Sequence, residues 1–186
     1  MKATEVLRQE HENIKLMMRV LEIAFSRMES GMQIPKEDLE RMIEFLKIFV
    51  ERCHFEKEEK LLSPSLEAVD IAKETGPIGI MFTEHALSRE YIDSLNRAVG
   101  KYKKGDQKSV PKIIETTNGY IKLMTQHINK ENNTLFPLAD ARLSKEDQER
   151  LVNEFDALEQ KVMNQDKEEE FFVSLARLRD IYLSRR

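Results

Sequence analysis

Apolar residues recur along this chain at alternating steps of three and four, the period of helices that bury one face. The pattern breaks at "SGMQIP" (30–35), "TGPIG" (75–79), "KKGDQKSVP" (103–111) and "ADARLS" (139–144), which divides it into four long helices. The first is predicted from Thr4, as N-cap, to Met28. The second starts with Pro35 in its first turn and reaches about Leu62, where Pro64 interrupts it. The third and fourth follow "GPIG" and Ser109. A fifth begins at "SKED" (144–147), an N-cap followed by acidic residues, and a sixth at "KEEEFF" (167–172). The expected fold is all-α, an up-down four-helix bundle with two additional C-terminal helices.

The residues on the buried seams are less ordinary. Helix one carries Leu7, His11, Ile14, Met18, Leu21, Phe25 and Met28, and helix two Ile43, Leu46, Val50, His54, Glu58 and Leu61. Helix three carries Ile78, Met81, His85, Ser88, Ile92, Leu95 and Val99, and helix four Ile113, Tyr120, Met124, His127, Glu131 and Leu138. All 4 histidines of the chain thus fall on core positions, one per helix, and two are followed one turn later by a glutamate. Met18, Met81 and Met124 read as core packing. The run "EKEEK" (56–60) reads as mostly a solvated face; only Glu58 in it has the buried phase, with Glu59 a weaker candidate.

The chain also repeats itself. "HFEKEEKLLSPSLEA" (54–68) and "HINKENNTLFPLADA" (127–141) share His, Lys, Glu, Leu, Pro and Ala at the same offsets, and "EHENIK" (10–15) matches "EHALSR" (84–89). Each half is a histidine, a loop, then His-x-x-x-Glu, so two antiparallel helix pairs related by a pseudo-twofold bring four histidines and two glutamates to one level. Two buried carboxylates facing each other are costly unless a cation neutralises them. Six N/O ligands suit a dinuclear metal site, with iron favoured by their hardness, manganese second, and zinc less suited because a closed structural site needs about four ligands. The expected metal ligands are His11, His54, Glu58, His85, His127 and Glu131.

Composition narrows the setting. The 186 residues, 40% hydrophobic and 34% charged, suit one globular domain, and a net charge of -4 without long blocks of one sign gives no reason to expect nucleic acid or an anionic membrane as partner. No apolar run approaches the roughly 18 residues of a membrane span and no signal-like segment leads the chain, so a cytoplasmic location is expected. Cys53 alone excludes an intrachain disulfide or thiolate cluster.

These motifs resemble a hemerythrin-like (HHE cation-binding) domain of the kind common in small prokaryotic proteins. The resemblance covers about residues 1–142, leaving 143–186 as a helical extension that packs on the bundle or serves a homodimer interface. It implies a non-haem, carboxylate-bridged centre of two iron ions, with His11 and His54 on one iron, His85 and His127 on the other, and Glu58 and Glu131 bridging. Oxygen-carrying hemerythrins have a fifth histidine one turn after the third. Arg89 takes that place here, and Lys15 the equivalent place in the first half, which implies that each iron keeps an exchangeable position. The expected function is to bind or sense O2, NO or iron, with such a small molecule as partner. The alternative is a di-iron oxidoreductase reducing O2, peroxide or NO, with Tyr120 as relay.

Overall fold

The computed structural model describes residues 1–184. Six helices account for nearly all of them: α1 (Ala3–Glu29), α2 (36–67), α3 (Gly76–Lys103), α4 (110–142), α5 (Lys145–Val162) and α6 (Gln165–Leu183). Two apolar clusters lie on either side of the histidine level. The smaller takes Leu7 from α1, Leu62 and Leu66 from α2, Ile78 and Met81 from α3, and Leu135, Phe136 and Ala139 from α4. The larger takes Ile14 to Met28 from α1, Leu39 to Val50 from α2, Ile92 to Tyr102 from α3, and Ile113 to Met124 from α4. Residue numbers therefore rise from small cluster to large in α1 and α3 and from large to small in α2 and α4. That alternation is the up-down bundle predicted from the sequence.

The C-terminal helices add to both clusters. Leu151 and Phe155 of α5 enter the smaller, and Phe171, Leu175, Leu178 and Tyr182 of α6 the larger. Each of these side chains contributes roughly 1.5–3 kcal/mol when fully buried. Polar tethers fix α6: the buried Tyr182 hydroxyl donates to Asp38 at 2.8 Å and Arg177 pairs with the same carboxylate at 2.9 Å.

Several local expectations are corrected. Thr4 is not the N-cap of α1; Lys2 precedes the helix, and the Thr4 hydroxyl reaches across to Asp140 at 2.7 Å. Pro35 lies just outside α2, with φ −54° and ψ 137°. The sixth helix starts earlier than expected, at Gln165, because the Asn164 side chain caps the Lys167 amide at 2.9 Å. Ser144 does open α5, exchanging hydrogen bonds with Asp147.

The larger correction concerns Pro64. It does not end α2, which runs on to Glu67, because the backbone widens into a π turn at Glu58–Leu62 just ahead of it. An α-helix would press the proline ring against a carbonyl one turn earlier, and the wider turn removes that clash. The same device recurs in α4, where a π turn at Glu131–Leu135 precedes Pro137. A wider turn also advances the buried seam by one residue. Leu61 and Leu138, expected in the core, are only half-buried, while Leu62 and Ala139 are fully enclosed.

Candidate metal centre

Each half of the bundle delivers its polar residues to the same level. His11 comes from the second turn of a step on α1 that also buries Leu7 and Ile14; His85 sits likewise between Met81 and Ser88 on α3. His54 ends a π segment (Phe45–His54), and Glu58 opens the next one. Val50, His54, Glu58, Leu62 and Leu66 are all buried at uniform steps of four, a spacing that drifts around an ordinary helix but stays on one face where π turns intervene. The unusual backbone is what keeps histidine and glutamate aimed together.

The six side chains meet in two groups that share both glutamates: His11, His54, Glu58 and Glu131, and Glu58, His85, His127 and Glu131. Within each group the candidate ligand atoms lie within 4.8 Å of one another. The Nε2 atoms of His11 and His127 stand 3.1 and 3.2 Å from one oxygen of Glu131, and those of His85 and His54 stand 3.2 and 3.6 Å from one oxygen of Glu58. The Nε2 atoms of His85 and His127 face each other at 3.2 Å. Phe55 stacks on the His85 ring and Phe136 on that of His11, closing the layer with apolar surface.

Every imidazole is held from behind. The Nδ1 of His11 faces the Asn132 side-chain oxygen at 3.0 Å, that of His54 faces Glu10 at 2.7 Å, that of His85 faces Glu59 at 2.8 Å, and that of His127 faces Glu84 at 3.1 Å. These partners accept hydrogen bonds and cannot donate through those oxygens, so each Nδ1 carries a proton, and a neutral ring held this way presents its Nε2 lone pair inward. With neutral rings and ionised carboxylates, the state that a metal requires, the layer contains lone pairs and carboxylate oxygens without a donor among them. The Nε2 atoms of His11 and His54 and all four oxygens of Glu58 and Glu131 are buried without a hydrogen-bond partner. Buried polar atoms are rarely left this way, and a cation is the species that satisfies all of them at once.

Electrostatics agrees. Burial lowers the pKa of His54, and pushes that of His85 down to about 4, so both rings are neutral and able to coordinate at neutral pH. Burial and the facing charge of Glu131 raise Glu58 well above the usual carboxylate range. Without a cation the two glutamates resist ionising together; with positive charge between them both can.

The outer partners were missed in the sequence, and one of them, Glu59, corrects it. Glu59 is not on a solvated face: it anchors His85, and Arg89 clamps it with contacts of 2.8 and 3.0 Å. Arg89, in the place one turn after His85, pairs with Glu59. Lys57 in the same run is fully buried between Glu10 and Glu159. Glu10 and Glu84 carried a signal that could have been used, since each immediately precedes the first histidine of its half in the matched segments. Lys15 pairs with Glu12 at 2.8 Å on the surface.

Access differs between the two flanks. A cavity of ≈ 160 Å³ opens between the start of α3 and the π turn of α4, walled by Pro77, Ile80, Met81, Thr134 and Leu135 and reaching His127 and Glu131. The corresponding flank of the other half is covered by α5, through Glu159 on Lys57 and Phe155 beside it.

A four-helix bundle enclosing histidine–carboxylate clusters able to hold metal defines a cation-binding helical protein. Residues 2–139 match the hemerythrin HHE cation binding domain, and the chain belongs to that family. It is similar to uncharacterized proteins of Mycobacterium bovis and of two strains of Mycobacterium tuberculosis, at 24% identity over 135 residues, which is 73% of this chain and 52% of each of theirs. The chain thus spans about half the length of the curated relatives it matches. Among the described residues no helix is long and apolar enough to cross a membrane.

Proposed function

We propose that this protein holds two iron ions and binds or senses O2, NO or iron through them, with residues 1–142 forming the metal-binding unit and the cytoplasm as its setting. The observation that carries the reading is the buried layer of six inward side chains, in which the Nε2 atoms of His11 and His54 and all four oxygens of Glu58 and Glu131 have no hydrogen-bond partner. His11 and His54 would hold one ion, His85 and His127 the other, and Glu58 and Glu131 would bridge. Imidazole and carboxylate ligands together favour iron, ahead of manganese and zinc. A bound iron pair supplies redox-active positions at which a small ligand can coordinate. The chain's own residues keep the His54 and His85 imidazoles neutral, hold all four rings through Nδ1 and line an apolar approach to His127.

The alternative, an oxidoreductase, assigned Tyr120 a relay role. Its hydroxyl is buried without a hydrogen-bond partner and lies near Ser88 and Glu51; burial raises its pKa, which opposes proton release there. Binding or sensing is therefore the better supported reading. The test is metal analysis and absorption spectroscopy on protein purified without oxygen, before and after exposure to O2 or NO. The expected result is two irons per chain and a ligand-dependent change in the spectrum. A content of one or less after replete anaerobic loading overturns the dinuclear centre, and an unchanged spectrum overturns the binding function.

A further inference from the structure

The anchoring of the four imidazoles follows a rule with one exception. The second histidine of each half donates to the glutamate just before the first, His54 to Glu10 and His127 to Glu84. The first histidine of each half donates across the bundle to the residue just after the other half's inward glutamate. For His85 that residue is Glu59, after Glu58. For His11 it is Asn132, after Glu131.

We propose that this one exchange of amide for carboxylate makes the two metal positions unequal, so that the position at His85 and His127 fills first and the position at His11 and His54 second. The inference rests on the dinuclear reading above. A carboxylate behind Nδ1 draws the ring proton toward itself, which loads electron density onto the ring and makes Nε2 a stronger ligand. An amide oxygen carries no charge to do this. The Asn132 oxygen is also shared: Arg8 donates to it at 3.3 Å and to the Asn132 main-chain oxygen at 2.8 Å, which fixes its orientation and draws density away from His11.

Longer-range charge does not reverse the order. Around His11 and His54 stand Glu10, Glu159, Lys57 and Arg8; around His85 and His127 stand Glu59, Glu84, Arg89 and Lys130. Each set holds two anions and two cations. The difference left is the acceptor at a single Nδ1, and outer partners of this kind change metal affinity by roughly 10–100-fold when lost. Replacement by an amide, which keeps the hydrogen bond, is expected at the lower end, about tenfold.

The probe is cobalt(II), titrated into the metal-free protein against a competing chelator and followed by its visible absorption, in the parent, Asn132→Asp and Glu59→Gln. Repulsion between the two ions also separates the binding steps, but it acts alike in all three proteins. The parent is expected to bind two ions in two steps. Asn132→Asp should tighten the second step by about tenfold and leave the first unchanged, and Glu59→Gln should weaken the first step by a similar factor and leave the second. Two ions bound with the same step affinities in all three proteins overturn the inference and leave the dinuclear reading standing. Binding of one ion or none overturns that reading and the inference with it.

Discussion

The ammonium of Lys57, fully buried, meets the carboxylate of Glu159, and so joins the C-terminal extension to a residue that also braces His54 through Glu10. The two carboxylates share this lysine unequally. Although burial opposes it, Glu10 is held below its ordinary pKa by His54 and Lys57, whereas burial leaves Glu159 above its own. Glu10 is the principal counter-ion and Glu159 the secondary one. Lys57→Ala strands Glu10 and should cost about 3–5 kcal/mol of stability, while Glu159→Gln keeps the lysine paired and should cost about 1 kcal/mol. Urea unfolding of the metal-free proteins measures both. Equal losses would show that the extension carries as much of the lysine's charge as α1 does.

Glu58 should be a burden to the metal-free fold. Its pKa is raised by burial and by Glu131, so above about pH 4.5 folding requires it to hold a proton that the unfolded chain has released. Stability from this residue is present at low pH and lost as pH rises toward its folded value. Glu58→Gln removes the requirement, so the metal-free variant should be more stable than the parent at pH 8 by roughly 1–3 kcal/mol, with the gap closing toward pH 4.5. The same variant should lose most of its metal. A variant less stable than the parent at pH 8 would show that Glu58 is not a buried unpaired acid.

Arg89 should act on metal only through Glu59. Its guanidinium holds both oxygens of that carboxylate and lies over the Phe55 ring at 5.4 Å. Arg89→Leu leaves the hydrogen bond from His85 in place, so metal affinity should fall by no more than about tenfold, less than for loss of Glu59 itself. Arg89→His should not add a ligand, and its metal spectrum should match that of Arg89→Leu. A distinct spectrum for the histidine variant would place position 89 in the coordination sphere.

Much of this site was legible because a bundle seam excludes polar residues unless they have a task, so His11, His54, His85 and His127 stood out by phase alone. What was not legible depended on widened turns and on contacts between helices. A constant period of 3.6 puts Leu61 on the seam; the π turn that Glu58 opens hands the place to Leu62. Periodicity likewise ranked Glu59 only as a weaker candidate behind Glu58, because nothing within its own helix reveals that Arg89 and His85 approach it from α3. The repeat showed more than was taken from it. Lys57 and Lys130 are identical in the two halves because each neutralises the glutamate that anchors the second histidine of its half, Glu10 behind His54 and Glu84 behind His127. Asn132 against Glu59 is where the two halves part.

The cavity beside His127 leads to the last prediction. It is walled by Pro77, Ile80, Met81, Thr134 and Leu135, and at its inner end Glu131 and His127 belong to the histidine–glutamate layer. Lys130 and Glu84, paired with each other, also line it, and most of the remaining wall is apolar. Thr134 is exposed and sits on the π turn that Glu131 opens, where a larger side chain can turn into the opening without disturbing the seam. Thr134→Trp should therefore slow the association of NO with the iron-loaded protein by about tenfold or more, since an indole occupies much of a channel this size. Iron content and equilibrium affinity should stay within about twofold of the parent, because no residue that touches the layer is changed. Ile23→Trp, on an exposed position of α1, is the control and should leave the rate as it is. Stopped-flow absorption reads the rates directly. Equal association rates in the parent and in Thr134→Trp would mean that small ligands reach the layer by another way, and the flank covered by Glu159 and Phe155 would be the next to open.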